Sequence, residues 1–377
     1  MKILFISTMA GTAWGGSEVL WSNMAAILLD EGHDVTASIF DFGTNPLRIQ
    51  ELAKKGLKVH KRKRTNFTTT FGKIKGKIVA KFISPGEFDS LNKISPDMVF
   101  FSQGAAFDLT IPYYEKYVSG LKVPYFCYLS LNTEYEVLPF NQMVAQRKIF
   151  ENAKTLFFVS KRNLETAQRQ LCSELKNALV INNPLTFSDL SAVPYVVSEA
   201  IHFAMVARVD AYVKGHPVVL KILSGENWKV RNWKLDIFGE GPDMEYVKEL
   251  VRFYKLTDKI RFKGQIQDIK QEIWAHNHVL LMPSQYEGCP ISLYDAAVCG
   301  RTAVVSDVGG NAEFVVEGEN GFIADAPSVH SFGSALERMW QNKHRIIELG
   351  ENARERALKI LDLKPDITVV GCIKKNF

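Results

Sequence analysis

Short apolar runs alternate with longer amphipathic stretches along the first half of the chain. Lys2–Ser7 (KILFIS) predicts a buried strand, and Ser17–Leu29 carries apolar residues at the spacing of a helix. Further strands are predicted at Asp34–Ile39, Lys58–His60, Met98–Phe101, Tyr125–Leu129 and Thr155–Val159. This rhythm of strand, helix and strand is typical of a parallel sheet with crossover helices.

A second series of the same kind occupies the other half of the chain. Its strands are predicted at His202–Val206, Leu235–Phe238, Ile260–Phe262, Val279–Met282, Thr302–Ser306 and Gly321–Ile323. Helices are predicted at Asp243–Tyr254, Asp268–Trp274, Ile291–Val298 and Val329–Asn342. The expected fold class is therefore α/β, with two doubly wound, Rossmann-like domains and a ligand bound in a cleft at the carboxyl ends of their strands.

Chain length and local amino-acid composition indicate the domain boundaries. A chain of 377 residues is too long for one ordinary core. Residues 181–199 are rich in Asn, Pro and Ser, which is typical of a linker. We therefore expect a first domain at 1–183, a linker at 184–200, a second domain at 201–350, and a tail at 351–377 that can cross back to the first domain.

The apolar runs and the cysteines indicate the cellular compartment. The first run is short and leads directly into a glycine loop, which favours a buried strand over a signal peptide. No apolar run reaches the roughly 18 residues that span a bilayer. The five cysteines form no CxxC pair and no zinc-like spacing. These features predict a cytoplasmic protein with reduced thiols and no structural metal.

Charge is unevenly distributed, although the net charge is only +5. Between Lys54 and Lys81 the chain has basic residues and no acid. One interpretation is a solvated basic surface. The other is contact with an anionic membrane surface, and the mixture of lysine with Phe, Ile and Val over Phe71–Ile83 is typical of an interfacial helix. A nucleic-acid partner is not expected, because no recognised binding motif accompanies the charge. The basic residues are Lys54, Lys55, Lys58, Lys61, Arg62, Lys63, Arg64, Lys73, Lys75, Lys77 and Lys81.

Glycine-bearing turns follow several predicted strands. The stretch GTAWGGSE, with Gly15 and Gly16, comes soon after the first strand and precedes a helix, where backbone N–H groups can meet an anion. Its spacing fits neither the dinucleotide fingerprint nor a Walker loop. The turn FGEGP, with Gly239, is similar but weaker. Each of these stretches, taken alone, also fits a plain turn between a strand and a helix.

Two cations follow the first strand of the second half. Arg208 comes two residues after the end of that strand, and Lys214 lies before a glycine. A planar guanidinium and a point-like ammonium at a strand's carboxyl end suit a diphosphate. A solvated pair of surface charges is the alternative.

Two acids flank the start of a predicted helix in PSQYEGCPISLYDAAVCG. Glu287 lies just before the helix and Asp295 on its second turn, with Gly300 at the position that ends it. The N–H groups near Gly288, Cys289 and Ile291 lie between the two acids, and Pro290, which has no N–H group to lose, fits the first turn of the helix. Backbone donors for phosphate and carboxylates for hydroxyls together match a nucleotide-sugar.

In order along the chain, GGSE, R-x5-KG, FGEGP, PSQYEG, E-x7-D, CGRTAVVSDVGGNAE and GENGF resemble the GT-B-fold retaining glycosyltransferases of family 4. The resemblance implies that Arg208 and Lys214 hold the donor diphosphate and that Glu287 contacts the sugar hydroxyls. It also implies that Asp295 binds the ribose and that Gly16 approaches the phosphates. It covers most of the chain and is more specific in the second half.

Two departures from the family pattern are visible. The second acid is Asp295 where the family has glutamate, so its reach is one methylene shorter. The family's usual histidine in the first domain is missing, because His33 and His60 are the only histidines before the linker and His33 lies in a turn. Gln103, Ser130 or Asn132 can occupy its place on the acceptor or sugar side.

The expected function is retaining transfer of a sugar from a nucleotide diphosphate-sugar, with UDP-sugar favoured over GDP- or dTDP-sugar. The acceptor is expected to be a hydroxyl of a glycan or lipid-linked intermediate in bacterial surface polysaccharide or glycoconjugate synthesis. No cofactor or metal is expected, because no DxD motif is present. A nucleotide-sugar epimerase of the same fold and a non-catalytic nucleotide-sugar-binding protein are the alternatives.

Overall fold

The computed structural model describes residues 1–63, 91, 93–195 and 197–375. The chain divides into two compact units: unit 1 is Met1–Pro184 with Lys364–Phe377, and unit 2 is Leu185–Leu363. Unit 2 therefore includes residues 185–200 of the expected linker and residues 351–363 of the expected tail. Each unit is built on its own parallel sheet.

In the described part of unit 1, seven parallel strands form one sheet in the order β3-β2-β1-β4-β5-β6-β7. The strands are β1 (Lys2–Ser7), β2 (Asp34–Phe40), β3 (Lys58–Arg62), β4 (Met98–Gln103), β5 (Tyr125–Leu129), β6 (Thr155–Phe158) and β7 (Ala178–Val180). The helices are α1 (Gly16–Asp30), α2 (Leu47–Lys54), α3 (Pro112–Gly120), α4 (Phe140–Asn152) and α5 (Lys161–Leu171), with a short 3-10 turn at Asp108–Thr110.

Unit 2 has six parallel strands among its described residues, in the order β10-β9-β8-β11-β12-β13. They are β8 (Ile201–Val206), β9 (Trp233–Phe238), β10 (Ile260–Gly264), β11 (Val279–Met282), β12 (Thr302–Ser306) and β13 (Gly321–Ala324). The α-helices are α6 (Ala211–Lys214), α7 (His216–Leu223), α8 (Glu226–Lys229), α9 (Met244–Phe253), α10 (Ile291–Val298), α11 (Asn311–Phe314), α12 (Val329–Gln341) and α13 (Ile346–Ile360).

Three further helical elements complete the description. A π-helix occupies Ile269–Trp274 and a 3-10 turn Lys343–Arg345. The last helix, α14 (Pro365–Lys374), belongs to unit 1, where it packs against α1. Among the described residues, no helix combines the length and the apolar character that crossing a bilayer would require.

Strand order places a topological switch point in each sheet. In unit 1, β1 lies between β2 and β4; in unit 2, β8 lies between β9 and β11. The loops that leave two such neighbouring strands diverge to opposite faces of the sheet, which opens a crevice for a ligand at their carboxyl ends. The loops after β8 and β11 carry most of the predicted site residues.

Apolar side chains hold both sheets to their helices. All six residues of β4 are buried, and Phe101 makes edge-on ring contacts with Tyr117 of α3 and Tyr125 of β5. Strands buried on both faces read as continuous apolar runs, which is why the sequence pattern predicted them well. The predicted bounds of β5, β11, β12 and α10 are confirmed.

The basic run differs from its interpretation as a uniformly exposed surface. Arg62 is buried, with its guanidinium 4.3 Å from the centre of the Phe40 ring and donating to the backbone oxygen of Ser7 and to the hydroxyl of Tyr114. A buried guanidinium needs hydrogen-bond partners of this kind. Neither the charge of the basic run nor the spacing of its residues indicates which partners Arg62 has. The rest of the run, from Arg64 to Lys81, and the predicted helix at Phe71–Ile83 lie outside the described residues.

Acids from neighbouring elements partly balance the described basic residues. Lys55 pairs with Asp30 at 3.0 Å, Lys58 with Asp34 at 2.7 Å and Lys61 with Asp41 at 3.0 Å. These acids are distant in sequence but adjacent in the fold. The described half of the run therefore carries less uncompensated charge than the sequence indicates.

Candidate functional site

Arg208 lies at the switch point of unit 2, just beyond β8. Its side chain is exposed, and its guanidinium donates to Asp210 Oδ2 at 2.6 Å. Asp210 also begins α6, because its Oδ1 accepts from the backbone N–H of Val213. The loop is thus fixed by a side-chain cap, and Arg208 stands at the sheet edge with one acidic partner.

Lys214 and Glu287 meet in an ion pair between the loops after β8 and β11. Lys214 Nζ lies 2.6 Å from Glu287 Oε1, and Ser284 Oγ donates to the same oxygen at 2.7 Å. The two side chains are only 22% and 10% exposed. Among the described residues none donates to Oε2, so that oxygen can accept from a ligand hydroxyl.

Two glycines let the loops around Glu287 approach backbone to backbone. A Cβ on Gly309 would stand 2.0 Å from the carbonyl oxygen of Glu287, and one on Gly215 would stand 2.1 Å from that of Pro283. Both have positive φ, +51° and +67°. Glycine is therefore required at both positions by space as well as by conformation, and the Glu287 loop is held between them.

The amino terminus of α10 lies next to Glu287 in the chain. Pro290 precedes the helix in extended conformation with φ −72°, one position earlier than the first-turn place predicted for it, and Ile291 is the first helical residue. The N–H groups of a helix's first turn have no partner within the helix, and the helix dipole favours an anion there. The backbone around Gly288 is fixed by a 2.7 Å bond from Gly310 N to Gly288 O.

Cys289 belongs to the same turn but is buried. Its thiol contacts the hydroxyl of Tyr294 within the first turns of α10. The side chain therefore serves packing, and the group it can offer an anion is its backbone N–H. The predicted donor contacts of Gly288, Cys289, Pro290 and Ile291 are backbone contacts and stay predictions.

Asp295 is on the second turn of α10, as predicted, but it is fully enclosed. It is 2% exposed, and its two oxygens accept from Thr186 N at 3.2 Å and Thr186 Oγ1 at 2.7 Å. Burial raises the pKa of this carboxyl to about 7, against the lowering effect of both hydrogen bonds. Its predicted ribose contact stays a prediction, and Thr186 is a partner that sequence patterns did not reveal.

Gly239 follows β9 with φ +113°, and a Cβ there would stand 2.0 Å from the carbonyl oxygen of Ala207. The position therefore joins the loops after β8 and β9 tightly. This gives Gly239 a packing role in the same sheet edge, and its predicted contact with a donor stays a prediction.

In unit 1, the predicted glycines lie at the start of α1. Gly15 is the residue before the helix and Gly16 its first residue, at the carboxyl end of β1. Beneath them Glu18 is buried, with Ser7 Oγ donating at 2.8 Å and Trp21 Nε1 at 3.0 Å. Burial raises the pKa of Glu18 to about 7, although these hydrogen bonds and Arg62 lower it.

The three residues expected to replace the missing histidine occupy two neighbouring strand ends in unit 1. Ser130 Oγ donates to the backbone oxygen of Gln103 at 2.8 Å, so these two residues are brought together. Asn132 instead donates to the backbone oxygen of Asn163 at 2.9 Å. Gln103 is fully buried, and within the described residues neither polar atom of its side chain has a hydrogen-bond partner.

Thr8 and Asp108 form a polar pair at the same strand ends that the sequence patterns did not single out. Thr8 Oγ1 donates to Asp108 Oδ2 at 2.5 Å and accepts from Gly104 N at 2.9 Å. Burial raises the pKa of Asp108 above its usual range. Thr8 follows β1, and Asp108 lies in the 3-10 turn after β4. The two residues are 100 positions apart in the sequence and come together because β1 pairs with β4.

Comparison with known proteins identifies unit 2 more closely. Residues 193–356 match the family model described as Glycosyl transferases group 1. A Streptomyces coelicolor exopolysaccharide phosphotransferase is 34% identical over 125 residues, which are 33% of this chain and 13% of that protein. The lipopolysaccharide 1,6-galactosyltransferase of Escherichia coli is 27% identical over 163 residues, which are 42% of this chain and 45% of that protein.

The chain thus spans less than half the length of both curated relatives. Among solved structures, the Anabaena protein Alr3699/HepE in complex with UDP superposes with a TM-score of 0.72 at 16% identity, covering 100% of both chains. At that identity the likeness establishes the fold, which is the GT-B fold of glycosyltransferases as predicted. The range that matches the family model, residues 193–356, contains Arg208, Lys214, Glu287 and Asp295.

Proposed function

We propose that this chain is a retaining glycosyltransferase that moves a sugar from a nucleotide diphosphate-sugar to a hydroxyl of a glycan or lipid-linked acceptor. A UDP-sugar is the favoured donor, with GDP- and dTDP-sugars as alternatives, and the product belongs to bacterial surface polysaccharide or glycoconjugate synthesis. The observation that carries the proposal is the Lys214–Glu287 pair, 2.6 Å apart beside the amino terminus of α10.

Each group in this arrangement has a distinct task in the proposed reaction. As the bond to the sugar breaks, negative charge builds on the leaving diphosphate. Arg208, Lys214 and the first-turn N–H groups of α10 would stabilise that charge where catalysis gains most. Glu287, with Oε2 available, would accept hydrogen bonds from the sugar hydroxyls and so orient the reacting carbon.

Each of the two cations pairs with an acid, Arg208 with Asp210 and Lys214 with Glu287. A diphosphate carries more charge than a single carboxylate and can draw both cations toward it. Glu287 then keeps Lys214 on the sugar side of the phosphates. This exchange of partners predicts that donor binding weakens as salt rises.

Retention and independence of metal are finer parts of the proposal. If the acceptor hydroxyl attacks on the face from which the diphosphate leaves, no protein nucleophile is needed. Positive charge from Arg208 and Lys214 takes the part that a divalent cation would play. The proposal therefore expects an unchanged rate in EDTA and a product with the anomeric configuration of the donor, which proton NMR measures directly.

Comparison with other proteins favours the donor class. HepE was crystallised with UDP and with UDP-glucose. The curated relatives are named for exopolysaccharide phosphotransfer and for lipopolysaccharide galactosylation. These are properties of those proteins, and they support a nucleotide-sugar donor and a polysaccharide-type acceptor for this chain.

A thermal-shift panel of UDP-, GDP- and dTDP-sugars tests the donor class. The proposal expects the melting temperature to rise with one nucleotide family, and with the diphosphate more than with the nucleoside alone, because binding to the native state stabilises it. No shift with any of them would remove the donor-site interpretation. Binding without slow release of nucleotide diphosphate would favour the non-catalytic alternative, and epimerised donor would favour the epimerase.

A further inference from the structure

Asp295 is tied to the place where the chain enters unit 2. Unit 2 begins at Leu185, so Thr186, which donates to both oxygens of Asp295, is its second residue. Asp295 itself is on α10, one turn beyond the candidate phosphate site. A single buried carboxylate thus joins the entry of the chain to the helix that carries that site.

Two buried cations fasten the following residues in the same way. We call residues 185–195 the entry segment. Lys270 Nζ contacts Asp189 Oδ2 at 2.6 Å and the backbone oxygen of Ser191 at 2.9 Å. Arg301 donates to the backbone oxygens of Val193 and Pro194, both at 2.9 Å. The entry segment has neither helix nor strand of its own, so these side chains replace secondary structure in holding it.

The geometry points to a positioning role for Asp295: it fastens the entry segment through Thr186, keeps α10 in place beneath the donor phosphates, and is not the ligand of the nucleotide ribose. The side chain is 2% exposed and both its oxygens face Thr186. At 2% exposure, a ribose hydroxyl could reach the carboxylate only if the residues that cover it moved. The short aspartate keeps its carboxylate close to α10, where the threonine reaches it.

The consequence for binding rests on the proposed function. If Asp295 holds α10 in place, weakening the contact lowers affinity for the diphosphate, whatever sugar is attached to it. If Asp295 binds ribose, weakening it removes the preference for a ribose with its 2′-hydroxyl. UDP and 2′-deoxy-UDP therefore distinguish the two roles in one measurement.

The variants are Thr186→Val, Thr186→Ser, Asp295→Asn and the double variant Thr186→Val with Asp295→Asn. We expect Thr186→Val and Asp295→Asn to raise the Kd of UDP and of 2′-deoxy-UDP by the same factor, about threefold to tenfold, as befits one buried hydrogen bond. Thr186→Ser keeps the hydroxyl and should bind both ligands as the wild type does. Calorimetry measures the Kd of both ligands for the wild type and for each of the four variants.

Thr302→Val is the matched control. Thr302 is buried, and its hydroxyl donates to the backbone oxygen of Asn320 at 2.9 Å. It is the first residue of β12, so it lies at the amino-terminal end of that strand, away from the carboxyl ends that carry the candidate site. This variant should lower the melting temperature without changing either Kd. Equal effects of Thr302→Val and Thr186→Val on UDP affinity would reduce the proposed role to general stability and overturn it.

Three further outcomes decide the inference. Loss of the preference for UDP over 2′-deoxy-UDP in Asp295→Asn, with the preference intact in Thr186→Val, would make Asp295 the ribose ligand and overturn it. Wild-type UDP affinity in Thr186→Val would also overturn it. If the wild type binds none of UDP, GDP and dTDP, the proposed function fails, and melting temperatures still test the contact between Thr186 and Asp295: coupling between the two substitutions supports it, and additivity contradicts it.

Discussion

Glu287 has two donors, Lys214 and Ser284, and both approach the same oxygen, Oε1. The arrangement holds the carboxylate in one orientation and directs Oε2 away from the pair. A residue placed in this way acts through geometry, since its charge is already balanced by Lys214. It follows that the shape of the carboxylate matters more to function than its charge.

Replacing Glu287 by alanine tests this role at the level of one side chain. Turnover should fall by about a hundredfold, the order seen when one oriented group is removed from an active site. The Kd of UDP should change less than about threefold, because Lys214 remains and loses its competing acid. Steady-state kinetics and calorimetry measure the two quantities.

Glu226→Ala is the control for that substitution. Glu226 pairs with Lys229 at 2.7 Å on α8, away from the strand ends. Removing it should leave turnover unchanged. Full activity in Glu287→Ala would exclude Glu287 from the site. Loss of UDP binding in that variant would show that Glu287 supports binding of the phosphates and not of the sugar.

Glu18 predicts a dependence of stability on pH. Burial raises its pKa from 4.5 to about 7 in the folded chain, so folding favours the protonated form. The corresponding stability is fully present below the unfolded pKa and is lost as pH rises toward 7. Glu18→Gln cannot ionise, so its melting temperature should exceed that of the wild type at pH 8 and lose the advantage at pH 4.

Asp295 contributes a dependence of the same sign in unit 2, because its pKa is also raised to about 7. Glu18→Gln should therefore remove part of the pH dependence and leave the remainder. An identical pH profile of melting temperature in Glu18→Gln and the wild type would show that Glu18 does not titrate in this range.

At the scale of elements, loop-to-loop contacts arrange the site as much as helices and strands do. The loops after β8, β9, β11 and β12 touch one another through glycines, with Gly309 against Glu287 as the closest case at the site. A Cβ at that position would have to displace backbone, which cannot move aside as the end of a side chain can. The Glu287 loop should therefore be sensitive to a single methyl group.

Gly309→Ala applies that methyl group, and Gly318→Ala is its control. Both glycines have positive φ, +51° and +72°, but a Cβ on Gly318 meets nothing within 4 Å. Gly318→Ala should cost about 1 kcal/mol of stability from conformation alone. Gly309→Ala should cost more stability and should also lower turnover. Thermal melts measure the stability, and release of nucleotide diphosphate measures the turnover. Equal stability and turnover in the two variants would show that the Glu287 loop is not sensitive to a methyl group at Gly309.

Elements with strong periodicity could be predicted from the sequence, and contacts between distant elements could not. The apolar runs of β5, β11 and β12 gave correct bounds, whereas in unit 1 the short strand β7 and helices α2 to α5 were not predicted. Asp268–Trp274 was predicted as an ordinary helix, but residues Ile269–Trp274 form a π-helix. The 3.6-residue pattern does not distinguish these two hydrogen-bond schemes over so short a stretch.

The candidate site shows the same limit. Arg208, Lys214 and Glu287 were predicted because each follows an apolar strand at the sheet edge where ligands bind. The burial of Arg62, and of Asp295 against Thr186, depends on partners far away in the sequence. No local pattern encodes such partners, so burial of a charged side chain could not be foreseen.

At the scale of the whole molecule, the basic run remains a candidate for contact with an anionic membrane. Its described lysines Lys55, Lys58 and Lys61 are paired with acids, which directs the hypothesis to the later ones. Replacing Lys73, Lys75 and Lys77 by glutamine should weaken binding to phosphatidylglycerol vesicles by roughly a hundredfold, at about 1 kcal/mol for each charge.

The same substitution at Lys55, Lys58 and Lys61 is the control and should have a smaller effect. Vesicle sedimentation measures both sets. Equal loss in the two sets would contradict the assignment of the contact to the later lysines. Unchanged binding in both sets, or equal binding of the wild type to uncharged phosphatidylcholine vesicles, would leave the basic run as a solvated surface.

The central claim is that unit 2 binds a nucleotide diphosphate-sugar through Arg208, Lys214 and Glu287 and that the chain transfers the sugar. The most direct measurement is release of nucleotide diphosphate from the donor selected by thermal shift, for the wild type and for the double variant Arg208→Ala with Lys214→Ala. We expect slow release by the wild type without acceptor and a loss of about a hundredfold or more in the variant. Equal release by both proteins, or none by the wild type with any donor and acceptor, would contradict it.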